Sequence, residues 1–170
     1  MPQPDDAAIT SKVRIPQMAY MNAQVLHDAH ARGLISESEQ RVADSYGIPS
    51  YRVRNPAHVV SLLYCLIVVP KELWDPPANH QIYGRLEIHK PLDLFDIDHW
   101  DRSSNNHPIR DFIKHLRNAV AHANFDVCED EDCYVFRDRG NFTVSISGEN
   151  LGKFLSTVGA ELANLWNTAK

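Results

Sequence analysis

The sequence predicts a mainly α-helical bundle with a β-hairpin inserted before its last helix. Three observations predict it. Apolar residues recur at helical spacing over Ile109 to Phe125 and again over Leu151 to Trp166. Helix-start signals, a capping Ser or Asn or a first-turn proline, stand ahead of the helical runs. Two short segments rich in β-branched and aromatic residues, Cys133 to Arg137 and Phe142 to Ser147, flank the turn-forming Arg139-Gly-Asn141. At 170 residues with no internal repeat, the chain reads as a single domain over residues 1–170, able to bury one core.

Taken in order, Pro16 fits the first turn of a helix that runs to about Arg32 and is closed by Gly33. Met18, Met21, Val25, Leu26 and Ala29 supply its apolar side. Ser36-Glu-Ser-Glu39 has the capping-box pattern and opens a short helix that Gly47 and Pro49 end. Asn55-Pro56 is a cap followed by a first-turn proline. Val59 through Val69 is then apolar on all sides apart from Ser61, which reads as a central helix stopped by Pro70. Asp75-Pro-Pro77 stops the chain again. Gln81 to Ile88 and Pro91 to Ile97 read as short helical pieces, and Asp101 to Asn106 as a polar loop. Pro108 opens the next helix. An acidic tract, Glu129 to Asp132, leads into the hairpin, and Ser147 caps a last helix in which Leu151, Phe154, Leu155, Val158, Leu162, Leu165 and Trp166 keep helical spacing.

The net charge of −5 argues against indiscriminate coating of nucleic acid. It leaves room for a local basic groove, because screening limits the reach of each charge to about 8 Å. The N-terminus, Met1 to Asp6, has no secretory character, and Val59 to Val69 is too short to span a bilayer, so no membrane and a cytoplasmic setting are expected. The three cysteines are too few for a disulfide framework. Cys65 reads as a buried thiol. Cys128 and Cys133 lack a second pair of metal ligands, so no metal or cofactor is expected.

The helix from Ile109 carries the chemistry. At about 100° per residue, Ile109, Phe112, Ile113, Leu116 and Val120 form one stripe that must face a core. Asp111, His115, Asn118 and His122 form a second stripe. Arg110, Lys114 and Arg117 form a third, between the other two. Aligned cations beside aligned His and Asn side chains suit the binding and turnover of a phosphate ester, with Arg110, Lys114 and His115 as candidate substrate-binding groups. Asp111 stands four residues before His115, the spacing of a modest helix-stabilising contact; the alternative is that it orients His115 near the cleft.

Arg117-Asn-Ala-Val-Ala-His122 resembles the signature of the HEPN superfamily, an Arg with a polar residue straight after it and a His further along the same helix. The Arg-to-His spacing also occurs at Arg102 to His107 and Arg110 to His115. Only the third occurrence sits deep in an amphipathic helix with Asn after its Arg. The continuation Ala121-His-Ala-Asn-Phe125, followed by a hairpin and a final helix, is similar to a plasmid-encoded HEPN branch. The resemblance covers residues 107–168 well, and the N-terminal hundred residues as generic bundle helices. It implies a HEPN-type helical bundle, a homodimer whose two motifs share one cleft, and a metal-independent ribonuclease. A toxin or defence role follows from it, with an antitoxin or other regulator protein as a further partner.

The chemistry of the residues agrees. Cleaving RNA without a metal needs one group to take the 2′-hydroxyl proton, another to protonate the leaving oxygen, and cations on the phosphate. Histidine serves either proton role, and arginine grips phosphate with a planar fork. Arg117, Asn118 and His122 are therefore the candidate catalytic residues: clamp, positioning group and proton carrier. Arg117 and His122 stand about 140° apart around the axis, so two facing helices would grip one phosphate better than one. The alternatives are a non-catalytic module that binds RNA or a nucleotide, and a purely structural dimerisation domain.

Overall fold

The computed structural model describes residues 4–70, 81–100, 108–128, 132–139 and 141–168, with side chains described between residues 14 and 164. Its helices are α1 (Pro4–Ala31), α2 (Ser36–Tyr46), α3 (Pro56–Leu63), α4 (Gln81–Ile88), α5 (Pro108–Ala121) and α6 (Gly148–Thr168). Its strands are β1 (Asp96–His99), β2 (Phe125–Cys128), β3 (Cys133–Asp138) and β4 (Phe142–Ser147). The chain is mainly α. The β3–β4 pair runs antiparallel from Cys133↔Ser147 to Asp138↔Phe142. It is the middle of something larger, an antiparallel sheet of order β1-β4-β3-β2. No described helix is long and apolar enough to cross a membrane.

Helix α5 is the organising element. It buries Ile109, Phe112, Ile113, Leu116, Ala119 and Val120, the stripe its spacing predicts. Phe112 gathers an aromatic cluster. Its ring centroid lies 4.7 Å from Phe95, 5.4 Å from Trp100, 5.5 Å from Phe142 and 6.5 Å from Phe154. Edge-on rings, as with Phe95, Phe142 and Phe154, and the tilted Trp100 ring add at these separations to the area they bury. One face of the hairpin, Tyr134 and Phe136 with Phe142, Val144 and Ile146, is buried against the helices. These aromatic residues therefore hold the sheet to the bundle and are not exposed for stacking on bases.

Several starts are where the sequence puts them. Asn55 caps α3 by accepting from the His58 N–H at 3.1 Å, with Pro56 first in the helix. Helix α3 continues through a π-helical turn, Tyr64–Val68, so the apolar run to Val68 is helical throughout. Cys65 there is half-buried, and burial pushes its thiol up. Ser147 accepts from the Asn150 N–H at 3.3 Å at the head of α6, which buries Leu151, Phe154, Leu155, Val158 and Leu162. The side chains of Leu165 and Trp166, the loop 101–106 with the Arg102 to His107 pattern, Asp75-Pro-Pro77 and acidic residues 129–131 lie outside the described residues.

Three expectations are corrected. Helix α1 begins at Pro4, so Pro16 lies inside it, and the expected apolar side is largely in solvent: Met18 and Met21 are 56% exposed and Val25 is 69% exposed. Its inward face carries Pro16 and Tyr20 instead. The end is as expected, with Gly33 at φ 70° and bonds from Gly33 to His30 and from Leu34 to Ala29. The capping box of α2 is not made. Ile35 precedes the helix without a side-chain cap, and the Glu39 carboxylate accepts from the Val53 N–H at 2.9 Å and from Arg52 at 3.1 Å. Pro91–Leu94 is a 3₁₀ turn, after which the chain becomes β1, because β4 offers an unpaired edge there.

Helices α1 and α6 cross closely at Gly159, where a Cβ would fall inside the Tyr20 ring. Gly159→Ala should destabilise the fold by about 1–3 kcal/mol through overpacking, even though alanine is the better helix former. Urea unfolding would show the loss, and Tyr20→Ala in the same chain should cancel much of it.

Candidate functional site: the polar face of helix α5

Helix α5 shows its polar stripe beside the turn end of the hairpin. His115, Asn118 and His122 follow at intervals of three and four, so all three lie on one side. The hairpin supplies a residue that completes the stripe. Asp138, last in β3, accepts from His115 Nδ1 at 2.9 Å and from Asn118 Nδ2 at 3.0 Å, both on the same carboxylate oxygen. The His115 ring lies flat on Phe142, the residue paired with Asp138, with centroids 4.9 Å apart and planes 14° from parallel. Helix α5 and the hairpin end are thus joined by one buried carboxylate and one stacked ring.

Asp138 is only 6% exposed at its side chain. Burial works to raise its pKa. The Arg139 backbone N–H, the donors of His115 and Asn118 and the charge of His115 outweigh burial and hold the carboxyl below the usual range. An ionised Asp138 keeps the proton of His115 on Nδ1, which leaves Nε2 as the nitrogen that can exchange a proton or meet an anion. The expected partner of His115, Asp111, does not make this bond; Asp138 does, because strand β3 brings its carboxylate over the ring.

His122 stands at the tip of the helix. Its N–H makes the last regular turn bond, to Asn118 at 3.0 Å, and its side chain is exposed. Ala123 follows at φ 53°, in the left-handed region, with bonds from Ala123 to Val120 and from Asn124 to Ala119. This is the closure a glycine normally makes. An alanine there costs about 1–2 kcal/mol. Ala123→Gly should therefore raise stability by about 0.5–1 kcal/mol, measured by thermal unfolding, while loosening the chain directly after His122. Asn124 then accepts from the Arg137 N–H at 2.9 Å, which starts the sheet.

The cations sit as helical geometry requires. Arg110 and Arg117 are half-buried on α5, and Lys114 is exposed. Arg139 is exposed beside Asp138, and Arg137 pairs with Asp126 on β2. Of the sequence-predicted residues, the structure therefore brings His115 and Asn118 together, with His122 two turns along. Arg110, Lys114 and Arg117 stay on the neighbouring stripe. Asp138 was missed, although a signal for it exists. Alternation along β3 puts Tyr134, Phe136 and Asp138 on one side, so a carboxylate follows two buried aromatic residues on the inward face.

Cys128 and Cys133 are register partners on β2 and β3 and are not joined in a disulfide. No curated protein and no solved structure matches the chain. A family model described as HEPN pEK499 p136 matches residues 6–164.

Proposed function

The chain belongs to the HEPN pEK499 p136 family, and from that premise we propose that it is a metal-independent endoribonuclease. The observation that carries the reading is the Asp138 carboxylate, which locks His115 and Asn118 into place on the helix face that ends in His122. A polar face held this firmly is what a reaction relying on positioned side chains requires.

In the proposed reaction the 2′-oxygen of a ribose attacks the adjacent phosphorus. A P–O2′ bond forms, the P–O5′ bond breaks, and the products carry a 2′,3′-cyclic phosphate and a 5′-hydroxyl. His122 moves one of the two protons, Arg117 clamps the phosphoryl oxygens, and Asn118 sets the position of the phosphate. Arg110, Lys114 and His115 hold the flanking RNA backbone, His115 through Nε2. The about 140° between Arg117 and His122 is bridged in a homodimer, where the arginine of one protomer meets the histidine of the other. We place this activity in the cytoplasm, in a single HEPN-type bundle, as a toxin or defence enzyme restrained by a separately encoded antitoxin or regulator.

The test is to incubate EDTA-treated protein with mixed cellular RNA, beside Arg117→Ala and His122→Ala. Cleavage by the native chain alone, leaving cyclic phosphate ends, supports the reading. Binding that weakens with salt and is not followed by cleavage points to a binding module instead.

A further inference from the structure

Cys128 ends strand β2, Cys133 begins strand β3, and the two residues are register partners. The hydrogen bonding of the ladder gives their separation. The Arg137 N–H donates to the Asn124 carbonyl at 2.9 Å, so hydrogen-bonded pairs recur at every second residue from there. Asp126 with Val135 is one such pair, and Cys128 with Cys133 is the next. The Cα atoms of such a pair lie about 5.5 Å apart, inside the about 4.4–6.8 Å that a disulfide spans. We propose that Cys128 and Cys133 are a reversible oxidation site, closed by a small-molecule disulfide into a cross-strand bond that clamps β2 to the sheet.

Both thiols stand on the same side of the sheet. Tyr134 and Phe136 are buried against the helices, so alternation puts Cys133 on the other side, and its direct partner goes with it. Both cysteines are half-buried, and both line a cleft of about 980 Å³ between α1, the segment 50–56 and the start of α6. A reagent as large as a tripeptide disulfide can therefore approach them. Cys65 does not line this cleft, and burial raises its thiol, so it reacts more slowly than the pair. The acidic run Glu129 to Asp132 disfavours the thiolate beside it, which slows the exchange without preventing it.

With oxidised glutathione as the oxidant, the exchange has two steps. One cysteine thiolate attacks a glutathione sulfur, the S–S bond of the oxidant breaks, and a mixed disulfide forms as the first glutathione leaves. The second cysteine thiolate attacks the protein sulfur of that mixed disulfide. The Cys128–Cys133 bond forms and the second glutathione leaves. Two electrons pass from the protein to glutathione, and the two thiol protons end on the two glutathione thiols.

The resulting bond is labile by construction. Cβ atoms of facing residues lie about 4.5–5.5 Å apart, against about 3.8 Å in a relaxed disulfide. Closure therefore draws the strand ends together by about 1 Å, and a bond under such strain is readily reduced. Strand β2 can yield that distance because it lies at the edge of the sheet, paired with β3 alone. The same ladder starts at Asn124, two residues after His122. The clamp thus acts on the strand that carries the chain away from the motif helix.

The full chain, incubated with oxidised glutathione, alkylated and mapped by mass spectrometry, tests this. Only Cys65 should then be alkylated, a peptide should join Cys128 to Cys133, and excess reduced glutathione should reopen the bond. Hydrogen exchange at the Asp126 and Cys128 amides should slow by about tenfold on closure. Cys128→Ser should retain glutathione on Cys133, since the resolving thiol is gone. Asp126→Cys combined with Cys128→Ser moves one thiol to the diagonal position, about 7–8 Å from Cys133 and beyond reach of a disulfide. Closure in that native chain should fall by about tenfold or more and return in urea, where register is lost. Equal closure in the double variant would mean that sequence proximity alone joins the thiols. That result, lasting glutathione adducts on the unsubstituted chain, or unchanged amide exchange on closure would each overturn the proposal, whatever the RNA assay gives.

Discussion

Replacing His122 by alanine should slow RNA cleavage by about 10²–10⁴-fold, the range for loss of a positioned acid or base. The fold should barely register the change. The side chain is exposed and lies past the last buried position of α5, Val120. A side chain at a helix C-terminus on the surface contributes at most about 1 kcal/mol. Arg117→Lys is the companion variant. It keeps the charge and loses the fork, so its rate should fall between those of the native chain and Arg117→Ala. Initial rates on a short RNA, with circular dichroism on the same samples, would show whether activity and stability separate in this way. Parallel losses of both would mean that His122 acts on the fold.

The second large effect belongs to Asp138. Asp138→Ala should cost about 2–3 kcal/mol, because His115 and Asn118 both lose a charged acceptor in a half-buried place. Asp138→Asn should cost less, since it keeps one acceptor oxygen. The pH dependence has a definite sign. The folded carboxyl titrates below its unfolded value of about 3.9. Its stabilising contribution is therefore complete above that value and disappears as the pH falls through the folded pKa. The gap between the native chain and Asp138→Asn in urea unfolding should be widest near pH 7 and close below about pH 4. A gap that widened with acid would contradict the ionised carboxylate. Both variants should also blunt RNA cleavage, through a His115 ring no longer held in one tautomer.

Where strong local signals agreed with tertiary demand, the chain was legible. Asn55-Pro56, Ser147 and the apolar stripe of α5 are self-contained statements about capping and periodicity, and the structure uses all three. Pro16 was a start signal overridden by the residues ahead of it, and its ring packs inward within a longer helix. The Ser36 box lost its glutamate to a segment fourteen residues further on, a contact no local pattern announces. Strand β1 has four residues with one half-buried apolar member, so it carries almost no alternation and exists because β4 has an edge to fill. The motif face was legible on the helix itself. The carboxylate that organises it comes from another element, and only strand parity could have disclosed it.

The sheet order has a consequence for how the molecule assembles. Strand β1 precedes α5 and strand β4 follows it, yet they are neighbours, with Asp96 opposite Ser145. Their pairing draws the chain into a closed loop around the motif helix. Loops of this length are slow to close, since their entropy is spent before the contacts reward it. A chain growing from its N-terminus would thus have Arg117, Asn118 and His122 in hand before it had Asp138 to hold them or Phe142 to support the His115 ring. The face becomes ordered only when the last strand arrives, and a nascent chain that ended before it would carry the motif without the site.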